Sequence, residues 1–358
     1  MILAHAYPAR GKPLFGGHLL SVFEESLAYR PFKYTWAAEA AKKQSIDMFW
    51  DVHEVELQDD LRQYNTKGGL ATPTKSHEYN KKTIDTIQPL FTELDRTVAD
   101  GYIKLLPYTK NNEIKTLLIT QAARETVHQR AYALLAETLG FENADWSAFN
   151  SYKEMRDKIE VMTAGDFDLS TPLGYTKALI QILLGEGIGL FAAFTAMLNY
   201  KRFGLISGFN DVNQWSLSDE TFHVENNIKI VKAIASDFSY AELVEIKDYT
   251  EKTVAAFVEA ECNFIDLIGE QEDLTIEDFK GYIKHLGDLR LFQLNCITFS
   301  EVSKNPLEWM DWLLSGEKHD NFFEKKVTSY SHDKMKGEID YSRYTDAVSQ
   351  YIKSISQN

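Results

Sequence analysis

Glu125-Thr126-Val127-His128 and Glu220-Thr221-Phe222-His223 are two instances of one tetrapeptide form, Glu-x-x-His. On an α-helix, residues i and i+3 share a face, so each pair can aim a carboxylate and an imidazole at one point. One such pair on a solvated face is ordinary. Two become informative because each has an upstream acid at a matched distance: Asp95 lies 30 residues before Glu125, and Glu186 lies 34 residues before Glu220. The first interval has its midpoint at residue 110, inside the turn signal Pro107–Asn112, and the second at residue 203, beside Gly204. A chain that rises from each acid and descends to its partner travels roughly 20 Å each way, at about 1.5 Å per residue. Acid and Glu-x-x-His then finish at one height on antiparallel neighbouring helices.

Helical periodicity runs through the rest of the chain, and alternating strand patterns with Asn-Gly or Asp-Gly turns are nearly absent. The pattern predicts helices over about Leu20–Lys43, Tyr79–Leu106, Glu113–Leu139, Ser151–Thr163, Leu173–Phe203, Val212–Ala235, Tyr240–Ile268 and Thr275–Phe299, with Ser239 and Thr275 as N-caps. The expected fold is an all-α bundle of the ferritin-like kind, in which each half supplies one carboxylate and one Glu-x-x-His to an inward-facing dinuclear site. Asp95, Glu125, Glu186 and Glu220 would bring four negative charges among apolar neighbours such as Leu190, Phe191 and Phe194, a prohibitive desolvation cost without compensation. Two divalent cations neutralise them. With His128 and His223 the donor set is oxygen and imidazole without thiolate, which suits iron or manganese. Tyr132 stands four residues after His128 and seven after Glu125, on the same helix face. It reads either as a core tyrosine donating its hydroxyl to a carboxylate or as a redox-active phenol beside the metals.

Composition narrows the function classes. The 358 residues carry a net charge of −15, which opposes the phosphate backbone that dominates nucleic-acid affinity. A hydrophobic fraction of 44% indicates a packed globule. Cys262 and Cys296 form no CxxC pair and no zinc spacing, as expected in a reducing compartment. Residues Ala178–Leu198 are long enough for a membrane span but carry Glu186 near their middle among three glycines, so a buried bundle helix is expected. The first residues show no basic region followed by a signal-length apolar stretch; a cytoplasmic protein without a membrane partner is expected. From about Ser315 the texture becomes polar, predicting a body over residues 1–314 and an extended C-terminal tail over 315–358.

On Glu125, His128, Tyr132, Glu186, Asp219-Glu220 and His223, the chain resembles the radical-generating small (beta) subunit of class I ribonucleotide reductase over nearly its whole length. The resemblance implies a homodimer whose dinuclear centre, di-iron first with dimanganese or mixed manganese/iron open, is bound by Asp95, Glu125, Glu186, Glu220, His128 and His223. It implies that Tyr132 matches the radical tyrosine. It also implies a transfer route that begins at Trp50, in the pair Phe49-Trp50, which is linked through Asp219 to His128, and that runs outward from Trp50 through Tyr330 of the tail, preceded by Glu324, to a separate large subunit that reduces ribonucleotides to deoxyribonucleotides. Asn305-Pro306-Leu307-Glu308-Trp309 matches the family's stretch before the tail. Gln121 stands where several members carry tryptophan, and Ser216 replaces a more usual apolar residue. The last residues, Ile352 to Asn358, lack the acidic and aromatic ending common in the family. The rivals are a dinuclear oxidase or fatty-acyl desaturase on the same bundle, which needs neither Trp50, Asp219 nor Tyr330, and a ferritin-like metal store, which needs no redox tyrosine.

Overall fold

The computed structural model describes residues 21–25, 33–141 and 152–316, all within the first of two units into which the chain divides, residues 1–316 and 317–358. Tyr330, Glu324 and the polar tail lie outside the described residues. Among the described residues there is no strand, only an isolated bridge between Gln271 and Leu274.

The bundle is built on two helical hairpins. In the first, α3 (His77–Leu105) opens where the Ser76 side chain accepts from the Tyr79 N–H. It is followed by α4 (Asn112–Thr138), whose N-cap Asn111 accepts from the N–H groups of Glu113 and Ile114. Two shorter helices precede this pair: α1 (Thr35–Lys42), which runs into a π-turn at Lys43–Asp47, and α2 (Gln58–Asn65). After α5 (Lys153–Thr163) comes the first arm of the second hairpin, and it is not one helix. It consists of α6 (Pro172–Leu184), a π-turn (Gly185–Gly189) that carries Glu186, and α7 (Phe191–Lys201). The returning arm is α8 (Ser207–Ala235), followed by α9 (Tyr240–Ile268), α10 (Ile276–Gln293) and α11 (Glu308–Gly316).

The expected turn near residue 203 is there: Gly204 adopts φ +68° and Ile206 φ +42° between α7 and α8. The apolar segment Pro172–Lys201 is long and apolar enough to cross a membrane, but 89% of its most apolar window is buried inside the protein. Its residues pack on α8 and α9.

Several boundaries differ from the sequence reading. Within the helix expected over Leu20–Lys43, the described residues show α1 starting at Thr35, and Ser21–Glu24 forms a turn closed by the Ser21 C=O. The helix expected to reach Phe299 stops at Gln293, because Asn295 takes φ +61° and the Cys296 N–H returns to the Leu291 C=O. α2 was not expected, since a polar run such as Gln58-Asp59-Asp60 has no apolar periodicity. Its role is tertiary: buried Asp60 accepts the Phe209 N–H at 2.7 Å, in the first turn of α8. A Cβ on Gly208 would stand 2.6 Å from the Glu56 C=O and 2.9 Å from Asp60 Oδ2, so glycine is required for this approach. Asp60 thus caps from outside a helix whose own N-cap, Ile206, offers no side-chain acceptor.

Asp60→Ala should therefore lower unfolding stability by about 1–2 kcal/mol, the usual cost of losing an N-cap acceptor, and Asp60→Asn should recover most of it. Urea denaturation of the two variants checks this.

Candidate metal centre

The four acids and two histidines singled out in the sequence converge in the core, and none of their side chains is exposed. α3 contributes Asp95, α4 contributes Glu125 and His128, the π-turn contributes Glu186, and α8 contributes Glu220 and His223. They form two overlapping clusters, Asp95, Glu125, His128 and Glu220 in one and Glu125, Glu186, Glu220 and His223 in the other. Within each cluster the donor atoms lie within 4.8 Å of one another. Glu125 and Glu220 belong to both.

Both imidazoles turn Nδ1 inward. His128 Nδ1 lies 3.1 Å from Glu220 Oε1 and 3.5 Å from Glu125 Oε2. His223 Nδ1 lies 3.0 Å from Glu186 Oε1 and 3.1 Å from Glu125 Oε1. Both oxygens of Asp95, Glu125 and Glu220, and Nδ1 of His128, are buried without a well-formed hydrogen bond. Buried polar atoms are seldom left so. Seven of them pointing inward from three helices fit a pair of divalent cations, and the absence of sulfur fits hard metals such as iron or manganese.

Electrostatics points the same way. Burial pushes the Glu186 carboxyl up to about 8, with nearby Glu220 and Glu125 adding to the shift against His223. Burial likewise raises Asp95 well above the usual carboxylate range. Burial disfavours the charged imidazoles, yet the facing carboxylates outweigh it and raise both His128 and His223 well above their ordinary value. Without cations, protons take their place.

Around the ligands sits a polar frame. On the outer side of His128, Nε2 lies 3.1 Å from Asp219 Oδ2, and the same oxygen accepts from Trp50 Nε1 at 2.9 Å. The Trp50 ring stacks on His128, with centroids 5.6 Å apart and planes 10° apart. Trp50 is buried, whereas Phe49 beside it is 45% exposed.

Arg124, which the sequence reading did not select, completes this group. Its Nε and Nη2 donate to Asp219 Oδ2 at 3.0 and 2.8 Å, and its guanidinium lies 4.8 Å from the Trp50 ring centroid. Burial works against the Asp219 charge, but the His128 contact and Arg124 hold the carboxyl below its ordinary range. On the other histidine, Nε2 meets the Gln44 amide, while Gln121 donates to the His223 C=O at 3.4 Å.

The two readings of Tyr132 are resolved in part. Its ring stacks on Phe91 at 4.4 Å and its hydroxyl donates to Asn213 Oδ1 at 3.1 Å, so the hydrogen bond goes to an amide and not to a carboxylate. A tyrosine that does meet a carboxylate of the clusters is Tyr102, whose OH lies 2.7 and 2.8 Å from the two oxygens of Glu186 and accepts from Asn227. Tyr102 lies seven residues after Asp95, and Asn227 seven after Glu220. The same i+7 rule that selected Tyr132 from Glu125 would have found both.

Comparison with known proteins agrees with this architecture. The chain matches the family described as "Ribonucleotide reductase, small chain" over residues 26–306. It is 28% identical to a ribonucleoside-diphosphate reductase small subunit, 048L, of Invertebrate iridescent virus 3, over 89% of this chain and 88% of that one. Among solved structures, a class I ribonucleotide reductase of Bacillus halodurans superposes with a TM-score of 0.69 at 19% identity, covering 78% of this chain and all of that one. The Rnr4 homodimer of Saccharomyces cerevisiae gives 0.65 at 18% identity, covering 87% and 92%. At such identities the structures show a shared ferritin-like fold.

The raised acids and histidines fix the sign of a pH dependence. Between pH 6 and 8 metal-free native protein keeps protons on Glu186, with its folded value near 8, and on both histidines, while the unfolded chain releases them. Stability must therefore fall as pH rises, by up to about 1.4 kcal/mol per pH unit for each proton retained. Glu125 and Asp219 are held below the usual carboxylate range and titrate below this window. Thermal melts of chelator-treated protein should fall from pH 6 to 8, less steeply in Glu186→Gln.

Proposed function

The chain belongs to the ribonucleotide reductase small-chain family, and from that premise we propose how its residues serve as the small subunit of a ribonucleoside-diphosphate reductase. The observation that carries the reading is the join between two features: a pair of four-ligand clusters sharing Glu125 and Glu220, and a buried tryptophan tied to one of their histidines through a single carboxylate oxygen of Asp219. A dinuclear oxidase or a metal store needs the first feature and has no use for the second.

In this reading Asp95, Glu125 and His128 with Glu220 hold one ion, and Glu186 and His223 with the two shared glutamates hold the other. The pair is di-iron, dimanganese or mixed, and the oxygen and imidazole donors suit each. When bound, the metals would supply the oxidising power that removes one electron from a protein or metal site.

Tyr132 is placed to store that oxidation. Burial and the nearby Asp95 charge raise its phenol well above its ordinary value and keep it protonated before oxidation. Its partner Asn213 is an amide, which orients the hydroxyl but is too weak a base to take its proton at neutral pH.

Trp50 accepts the hole on its way out. The ring lies flat on His128, and its N–H is held by Asp219. Arg124 fixes Asp219 in place and sets a permanent positive charge against the indole. That charge partly offsets the nearer Asp219 carboxylate, which by itself would favour a cationic tryptophan.

The hole then passes through Tyr330, outside the described residues, to a large subunit that carries out nucleotide reduction. A homodimer is proposed, as in the yeast relative of similar fold. Free Cys262 and Cys296 support a reducing cytoplasmic setting.

Making the oxidant and delivering it are separable. With a saturating large subunit, Trp50→Phe and Tyr330→Phe should retain full metal loading and the paramagnetic signal while deoxynucleotide formation falls by about a hundredfold or more. Unimpaired turnover in both would refute the relay through Trp50 and Tyr330, whereas a native protein that loads metal but supports no deoxynucleotide formation with the large subunit would return the oxidase reading to first place. Tyr132→Phe should fold normally and abolish any tyrosyl signal in electron paramagnetic resonance; surviving turnover would place the stored oxidation on the metals.

A further inference from the structure

Glu186 is the one ligand not carried by an α-helix. Its π-turn lies between α6 and α7, and a π-turn is a local departure from the regular ladder that something must hold in place. What surrounds this one is unusual for the interior of a helical bundle: three buried charged side chains, none of them a member of the metal clusters.

On one side, Glu261 of α9 accepts the Ala192 N–H through Oε2 at 2.9 Å. Ala192 is the second residue of α7, and first-turn N–H groups have no partner within their own helix. The other oxygen of Glu261 lies 2.5 Å from Lys158 Nζ of α5, and Lys158 sits 4.2 Å from the Phe264 ring centroid. Both members of this ion pair have side chains 1% exposed. On the other side, buried Arg290 of α10 donates from Nε to the Gly187 C=O at 3.2 Å and from Nη1 to Gln293 at 2.7 Å.

The glycines beside Glu186 show how close the fit is. None has a positive φ, so backbone freedom is not their reason. A Cβ on Gly187 would meet Arg290 Nε at 2.6 Å and Val224 Cγ2 at 3.2 Å, one on Gly189 would meet Phe257 at 3.0 Å, and one on Gly185 would meet Met162 at 3.1 Å. Val224 directly follows the ligand His223. The turn is thus wedged between α5, α9 and α10 on its outer face and the ligand-bearing helix α8 on its inner face.

Burying a lysine, a glutamate and an arginine is costly, and an apolar substitute of similar volume is often no less stable. Their contacts suggest what they do instead of stabilising the fold. We infer that Lys158, Glu261 and Arg290 form a clamp that positions Glu186: Glu261, seated against Lys158, holds the start of α7 through its acceptor oxygen, Arg290 holds the turn itself, and together they set where the Glu186 carboxylate enters its cluster. These are positioning residues, acting on one metal subsite and not on the other. The inference rests on the dinuclear reading above, and the test separates the two.

The probe is Mn(II) alone, titrated anaerobically into metal-free full-length protein and followed by the loss of its free signal in paramagnetic resonance. Amide hydrogen exchange of the same metal-free proteins is the second measurement. Lys158→Met/Glu261→Gln removes both charges yet keeps an acceptor for Ala192, and should bind both ions within about twofold of the native protein. Lys158→Met/Glu261→Leu is equally uncharged but lacks the acceptor. In it, one of two Mn(II) affinities should weaken at least tenfold while the other stays within twofold, and exchange should accelerate across residues 185–192. Arg290→Met should behave likewise, with Arg290→Lys intermediate.

Equal Mn(II) affinities and unchanged exchange in Lys158→Met/Glu261→Leu and in Arg290→Met would overturn the clamp. So would parallel weakening of both ions with a lowered melting temperature in the acceptor-retaining control. If the native protein itself takes fewer than two Mn(II), the dinuclear reading falls and the clamp on a metal subsite falls with it. The exchange data then show whether the three residues still order the turn.

Discussion

Four carboxylates and two imidazoles meet in an interior closed to water, and that concentration of charge is the constraint to which the rest of the structure answers. Left alone, it is met by protons, which is why Glu186 and Asp95 are driven upward while the histidines are driven up beside them. Two cations would replace those protons at the same positions, and the two shared glutamates give the pair a common floor. A bundle is suited to this because its helices satisfy their own backbones, leaving the side chains of facing turns to serve the site.

The supporting groups divide by which ligand they hold. Asp219, Arg124 and Trp50 form one unit on the outer side of His128. Three donors of different kinds converge on a single carboxylate oxygen, so moving any of them moves the histidine as well. Tyr102 and Asn227 form another on Glu186, where the phenol spans both oxygens. Asp60 acts at longer range by capping the start of α8, the helix on which Asp219, Glu220 and His223 are spaced. The centre is symmetrical in its ligands and unsymmetrical in its support. One histidine faces a hydrogen-bonded path toward partly exposed Phe49, and the other a closed interior with Gln44.

Under the proposed function that asymmetry would separate storage from delivery. Tyr132 lies within the core, stacked on Phe91 and bonded to an amide. Trp50, by contrast, is linked to the cluster through a carboxylate and flanked by a fixed cation. In the proposed reading the two roles would be carried by separate sides of the site. Buried Gln121, which donates to the His223 C=O, and buried Ser216 add two uncharged polar groups to this interior.

Most of the site was legible in the sequence because helical geometry turns spacing into direction. Two Glu-x-x-His pairs and two acids at matched distances from a turn can face one another in only one way, and the same arithmetic extended by seven residues reaches Tyr132, Tyr102 and Asn227. The sequence by itself determined an all-helical bundle, its hairpin turns near residues 110 and 203, and the six acids and histidines that converge in its core. What only the tertiary structure decided lies where interactions cross between elements remote in sequence. Asp60 caps a helix about 150 residues away, Arg124 meets Asp219 across 95, and Glu261 meets Ala192 across 69. Spacing along one helix carries no information about such contacts. The break at Gly185–Gly189 belongs with them: periodicity read Leu173–Phe203 as one helix, and only the side chains packed against its glycines reveal a π-turn that delivers Glu186.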